Sequence, residues 1–261
     1  MTAPVLSFEN RAVLVTGGSR GIGRGIAEAF LDAGAAVVVC GRREPEDLPS
    51  VGGKQAVFVE ADIRDAEQVE RMVAEAHELV GRLDVLVNNA GGAPFAEAAT
   101  ASPRFSEKVI QLNLVAALHC AQQANRIMQA QQSGGSIINI ASVSGVRPSP
   151  GTAAYGAAKA GLISLTGTLA IEWAPKVRVN AISAGLIRTA QAHLHYGDEA
   201  GIERVAETVP LRRLGTPEDI ARACLFLASP LAGYVSGANL LLHGGGETPA
   251  FLSAASVNRQ E

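Results

Sequence analysis

The chain has 261 residues, 48% of them hydrophobic and 4% aromatic, with 22 Lys and Arg against 25 Asp and Glu for a formal net charge of −3. That length and apolar content predict one domain over 1–261 with a sizeable core. No basic stripe marks a nucleic-acid binder, no basic leader precedes an apolar stretch, and no apolar run of roughly eighteen residues would span a membrane, so the expectation is a cytoplasmic protein acting on a small molecule.

The first apolar run, Ala12–Thr16, reads as a strand. It leads into Gly17-Gly18-Ser19-Arg20-Gly21-Ile22-Gly23, which opens a helical pattern over Gly21–Ala33. Glycines at 17, 21 and 23 permit a tight turn and let backbone amides approach a pyrophosphate, whose charge then meets the positive helix N-terminus. Placed between strand and helix, the loop predicts a nucleotide site lined by Gly17, Ser19, Arg20, Gly21, Ile22 and Gly23. The second strand, Ala36–Cys40, ends in Gly41-Arg42-Arg43, where a dinucleotide fold commonly carries an acid for the ribose. Arg42 and Arg20 can flank a 2′-phosphate with charge-assisted hydrogen bonds, which favours NADP(H) and leaves NAD(H) as the alternative. The plain reading of both arginines is solvated surface charge.

Residues 42–55 carry two prolines and Gly52-Gly53 where a crossover helix is due, which predicts truncation of that helix to a turn. The third strand, Ala56–Glu60, is followed by Asp62 and Ile63 and then by a helix over Ala66–Val80. The fourth, Val85–Val87, leads to Asn88-Asn89-Ala90-Gly91. Asp62, Ile63, Asn89, Ala90 and Gly91 thus fall at the carboxyl ends of strands, where parallel sheets bind ligands, while Asn88 reads as a brace between backbone segments. Asn113 sits in a helical stretch, Arg104–Gln131, among Leu112, Leu114 and Val115, where an amide needs partners. The local pattern fits a core amide as well as a catalytic one.

The fifth strand, Ser136–Ile140, runs out at Ser142 and Ser144, and either hydroxyl could donate to a carbonyl oxygen that gains charge. In the next helix, Ala153–Trp173, Tyr155 and Lys159 lie four residues apart on one face. A phenol titrates near ~10, so it exchanges protons at neutral pH only with help from a neighbouring cation, which Lys159 is placed to supply. The sixth strand, Val177–Ala181, precedes Gly185, Ile187 and Thr189. Residues 190–210 read as a lid, in which Leu194, His193, His195 and Tyr196 join Leu186, Phe95 and Val143 around a mostly apolar pocket. The two histidines read either as exposed loop residues or as partners of a substrate carboxylate or phosphate. A helix over Pro217–Leu227 and a seventh strand, Asn239–Leu242, follow; residues 247–261 form a tail in which Pro249 and Phe251 can pack and the last polar residues fray. Alternation of strand and helix, with continuous apolar strands such as Val37-Val38-Val39, predicts an α/β, doubly wound parallel sheet flanked by helices. Cys40, Cys120 and Cys224 read as buried thiols, and the histidine spacing offers no metal site.

Together, Thr16-Gly-x-x-x-Gly-x-Gly23, Asn88-Asn-Ala-Gly91, Asn113, Ser142, Tyr155-x-x-x-Lys159 and Pro217-Glu-Asp219 resemble the short-chain dehydrogenase/reductases over about residues 8–246. The resemblance implies a Rossmann-type fold, a seven-stranded sheet in the order 3-2-1-4-5-6-7. It implies Tyr155 as general acid and base, Ser142 as the group polarising the substrate oxygen, and Lys159 as the residue holding the nicotinamide ribose and stabilising the phenolate. Asn113 would support a water linking Lys159 to solvent, and Gly185, Ile187 and Thr189 would line the nicotinamide amide. The implied reaction interconverts a ketone and a secondary alcohol, in a homotetramer or a dimer whose helices Arg104–Gln131 and Ala153–Trp173 pair between subunits. Two departures stand out: Ala184 replaces a usual proline, which frees a φ angle, and His243 replaces a common aspartate. The expected substrate is bulky and lipid-like, a steroid-derived ring or a 3-oxoacyl thioester. The alternatives are an NAD-dependent catabolic alcohol dehydrogenase and a cofactor-sensing protein without catalysis, against which the intact Asn113, Ser142, Tyr155 and Lys159 set speaks.

Overall fold

The computed structural model describes residues 6–255. Its strands are β1 (Ala12–Thr16), β2 (Ala36–Gly41), β3 (Ser50–Val51), β4 (Lys54–Gln55), β5 (Val57–Glu60), β6 (Val85–Asn88), β7 (Gly135–Ser142), β8 (Val177–Ala184) and β9 (Asn239–Leu242). Seven of them form one sheet in the order β5-β2-β1-β6-β7-β8-β9, and every pairing in it is parallel. Counted within the sheet, that is 3-2-1-4-5-6-7, the order the resemblance implies. The chain reverses direction across the sheet between β1 and β6, which opens a crevice at their carboxyl ends.

The alternation of side chains along a strand sorts the core into two layers. Val13, Val15, Val37 and Val39 face one side, where they pack with Ile26 and Phe30 of α1 (Gly21–Asp32). Leu14, Val38 and Leu86 face the other, against Met72 of α2 (Ala66–Val80). Each such apolar side chain fully removed from water contributes roughly 1.5–3 kcal/mol. The ends of α2 follow from local chemistry. The Asp65 carboxylate accepts from the amides of Glu67 and Gln68, and Gly81 leaves the helix at φ 73°.

Beyond β6 the chain forms α3 (Pro103–Ile110), a π-helical turn over Gln111–Val115, and α4 (Ala116–Ala130), so the long helix expected there is interrupted in its middle. Next come α5 (Ala153–Glu172), α6 (His193–Tyr196), α7 (Glu199–Thr208), α8 (Pro217–Ala228) and α9 (Ala250–Ala254). On the first face of the sheet α8 lies beside α1, and a Cβ at Gly25 would come within 2.6 Å of the Pro217 Cβ, so glycine sets how closely these helices approach.

One expectation needs correction, and two others gain detail. Residues 42–55 hold an antiparallel hairpin, β3 with β4, turning through Gly52 and Gly53 at φ 58° and 80°, where a helix truncated to a turn was expected. Residues 190–210 contain α7, whose Ile202 joins Ala192, Val209 and Leu214 in a small core of its own. In the tail, Phe251 is 68% exposed on α9 and packs into no core; the last residues, expected to fray, lie outside the described residues. The three cysteines are buried free thiols, as the sequence suggested. Among the described residues no helix is long and apolar enough to cross a membrane, and no group of His, Cys, Asp and Glu is arranged to hold a metal ion.

Candidate active site

At the carboxyl end of β1, Gly17 and Gly21 adopt φ 63° and 55°, which lets the chain turn sharply into α1. α1 starts without a side-chain cap and with no acidic residue in its first turn, so its leading amides face the crevice with no partner from a side chain. That donor set suits an anion such as a pyrophosphate. The loop is braced from below. The Asn89 amide donates to the carbonyls of Thr16 and Gly17 at 2.9 and 3.2 Å, and the Thr16 hydroxyl accepts from the backbone of Asn89 and Ala90. The Asn89 side chain therefore holds the glycine loop. Asn88 is a buried brace as expected, donating to Asn139 Oδ1 at 2.9 Å and to the Ala117 carbonyl.

Across the crevice Thr189 lies near Gly21, its Cγ2 3.9 Å from where a Cβ would stand. Gly185 is tied to β9 by its amide, and Ile187 bridges to Gly215. At the far side Arg20 and Arg42 are exposed, and Asp62 lies close enough to Arg42 to feel its charge. Sequence reasoning missed Arg64, two residues on, which grips Asp62 through Nε at 2.9 and 3.1 Å and through Nη2. That contact, chiefly, holds the Asp62 carboxyl below the usual carboxylate range. Ile63 is buried beneath it.

The residues predicted as catalytic lie at the end of β7. Lys159 reaches back from α5 under that strand end, and its ammonium donates to the Ile140 carbonyl at 2.8 Å. It stands 5.6 Å from the centre of the Tyr155 ring, one helical turn away. Burial alone depresses the ammonium from 10.5 to about 8. For Tyr155 burial is the largest effect and raises its pKa, while a hydrogen bond with the Ser142 hydroxyl opposes it. This differs from the expectation that Lys159 lowers the phenol: the ammonium lies over the ring, anchored on a carbonyl, and desolvation dominates. The two candidate serines differ in their partners. Ser142 engages Tyr155, whereas the Ser144 hydroxyl pairs with that of Ser149 at 3.1 Å.

Asn113 occupies the centre of the π-helical turn, buried to 1% exposure. Its amide donates to the carbonyls of Val109 and Gly92 at 2.9 and 3.0 Å, and its oxygen accepts from the Gly92 amide at 2.8 Å. Gly91 separates it from Lys159: a Cβ there would fall 2.6 Å from Asn113 Oδ1 and 3.2 Å from Lys159 Nζ. The four residues predicted as catalytic are thus brought to one place.

Tyr155 lines one cavity, and Val143, next to Ser142, lines another. One of about 80 Å³ is lined by Tyr155, Phe105, Val109 and Gly151. The other, of about 190 Å³, is lined by the apolar Val143, Val146 and Leu186 and by the polar Arg147, His243 and Glu247. Of the predicted pocket residues, Val143 and Leu186 line this cavity. Leu194, His193 and His195 are exposed on α6 and line neither cavity, and Phe95, 73% exposed, packs over Gly151.

Residues 17–247 match a family model described as enoyl-(acyl carrier protein) reductase. The chain is 36% identical over 247 residues to a 3alpha-hydroxysteroid dehydrogenase of Mediterraneibacter gnavus, covering 92% of this chain and 98% of that one. It is 39% identical over 247 residues to an L-rhamnose 1-dehydrogenase (NAD(P)(+)) of Azotobacter vinelandii, covering 90% and 96%. The ligand-free aldohexose dehydrogenase of Thermoplasma acidophilum superposes with a TM-score of 0.85 at 30% identity, covering 97% of this chain and 98% of that one.

Proposed function

The chain belongs to the short-chain dehydrogenase/reductase family, oxidoreductases that act on CH–OH groups with NAD(P), and from that premise we propose that it interconverts a bulky, apolar ketone and its secondary alcohol with NADP(H). The observation that carries this reading is the convergence of Ser142, Tyr155 and Lys159 at the strand ends, with Tyr155 on the wall of a cavity. The uncapped start of α1, the exposed Arg20 and Arg42, Ile63, Ala90, Gly91 and the Gly185–Thr189 turn are the residues that would hold the cofactor. When bound, the nicotinamide supplies hydride to a carbonyl carbon or accepts it from a carbinol.

In reduction, Tyr155 hands its phenolic proton to the substrate oxygen as that oxygen gains charge. Ser142 donates a hydrogen bond to the same oxygen and so stabilises the charge without moving a proton. Burial raises the Tyr155 pKa and so works against loss of the proton, while the hydrogen bond with Ser142 works for it. Lys159, easily deprotonated at about 8, is placed to restore the phenol's proton, and Asn113 holds the Gly92 backbone that walls this route. In oxidation Tyr155 takes the proton back from the alcohol.

NADP(H) is preferred in this reading because β2 ends in Gly41-Arg42 with no carboxylate of its own, and the neighbouring Asp62 is held by Arg64. A bulky apolar body is supported by Val143, Val146 and Leu186 in one cavity and Phe105 and Val109 in the other. The same reading places the protein in the cytoplasm as a homotetramer that pairs α4 and α5 between subunits, which the 82% exposure of Ile171 on α5 supports. Parallel titrations with NADPH and NADH, followed by nicotinamide fluorescence, test the cofactor assignment. Tighter binding of NADPH is expected; tighter binding of NADH would overturn it.

A further inference from the structure

Past Ser142 the chain makes a tight turn, Val143–Gly145, and continues through Val146 to Arg147 on the wall of the larger cavity. The Arg147 guanidinium pairs with Glu247 Oε1 and donates to the Pro148 carbonyl at 2.9 Å. Glu247 is brought there from 100 residues away by Gly244, Gly245 and Gly246 at φ 64°, 97° and 87°, a path that side chains would oppose. The partners are 35% and 36% exposed, so water reaches both and the pair itself stabilises little. Burial raises the pKa of Tyr196, Glu247 raises it further and Arg147 opposes, so Tyr196 lies within electrostatic reach of the pair.

We propose that Arg147 is a specificity-determining residue that binds a terminal carboxylate on the substrate, and that Glu247 competes for the same guanidinium. The proposal rests on the ketone reading above and adds a charged end to the apolar body. Arginine offers only N–H donors, in a fork that fits a carboxylate, and Glu247 already sets a carboxylate against it at this position. Val143, Val146 and Leu186 in the same lining would take the apolar part, so one cavity offers contacts for both ends of an amphiphilic keto acid. Because the internal pair is exposed, a substrate carboxylate exchanges with Glu247 at small cost.

The test uses the full-length protein with NADPH and a series of phenyl ketones whose acyl chains end in a carboxylate, each beside its methyl ester. Wild type is expected to favour the acids in kcat/KM, with the difference in KM. Arg147→Gln should lower the acid-to-ester ratio at least tenfold, and Glu247→Gln should raise it several-fold by removing the competitor. Melting curves of both variants establish that they fold, and the opposite signs distinguish recognition from general damage. A ratio that is the same in wild type and both variants overturns the role of Arg147 alone. If wild type oxidises NADPH with no ketone of either kind, the ketone reading falls and this proposal falls with it.

Discussion

Lys159 stands over the ring of Tyr155, its ammonium 5.6 Å from the ring centre and anchored on the Ile140 carbonyl. An ammonium so placed opposes folding. Burial lowers its folded-state pKa from 10.5 to about 8, so the penalty is full below about 8 and is relieved as the pH rises from there towards the unfolded value. Lys159→Met should therefore gain stability at neutral pH, on the order of 3 kcal/mol before the loss of the hydrogen bond to Ile140, and the gain should shrink towards pH ~10. Urea unfolding across that range checks it; a gain independent of pH would contradict it.

Arg42 is exposed beside the crevice, close to the Asp62–Arg64 pair. Arg42→Asp should weaken NADPH binding by about 2 kcal/mol or more, through lost charge-assisted bonds and new repulsion, and should affect NADH far less. An NADPH titration that overlays wild type would show that Arg42 does not read the 2′-phosphate.

Gly91 keeps Asn113 and Lys159 in place because it has no side chain: a Cβ would lie 2.6 Å from Asn113 Oδ1. Gly91→Ala should push the amide off the Gly92 backbone, cost roughly 1–3 kcal/mol of stability and lower kcat. Unchanged melting temperature and turnover would mean that this contact is slack.

Asp84 is a carboxylate at 4% exposure that accepts from Arg82 at 2.6 Å, Arg11 at 2.8 Å and the Ala12 amide at 2.9 Å. Burial raises its pKa, and the hydrogen bonds from Arg82, Ala12 and Arg11 together outweigh burial, leaving it below the usual carboxylate range. Its stabilisation is thus present above the unfolded value of 3.8 and lost as the pH falls through the lower folded value. Asp84→Asn should destabilise by roughly 2–4 kcal/mol at neutral pH, with the difference from wild type narrowing in acid. Parallel acid titrations of the two proteins, followed by circular dichroism, would expose a constant difference.

Much of this was legible in the sequence because local patterns carried it. β1 and β9 span the residues predicted, since each is an apolar run beside glycine or a turn, and α2 begins and ends where Asp65 and Gly81 punctuate it. The gathering of Ser142, Tyr155 and Lys159 was legible because β7 and α5 follow one another at one end of a parallel sheet. The rest depended on what local pattern does not encode. β3 and β4 are two residues each, too short for periodicity, although Gly52-Gly53 hinted at their turn. Asp198 followed by Glu199 was a usable cap signal for α7. The meeting of Arg147 with Glu247 joins two loops 100 residues apart, and no spacing rule announces it.

The central claim is that Tyr155 moves the proton, and replacing only its hydroxyl tests it most directly. In Tyr155→Phe, kcat for ketone reduction should fall by about a hundred- to ten-thousand-fold while NADPH binds nearly as in wild type. Turnover within tenfold of wild type, with the cofactor bound, would contradict the account.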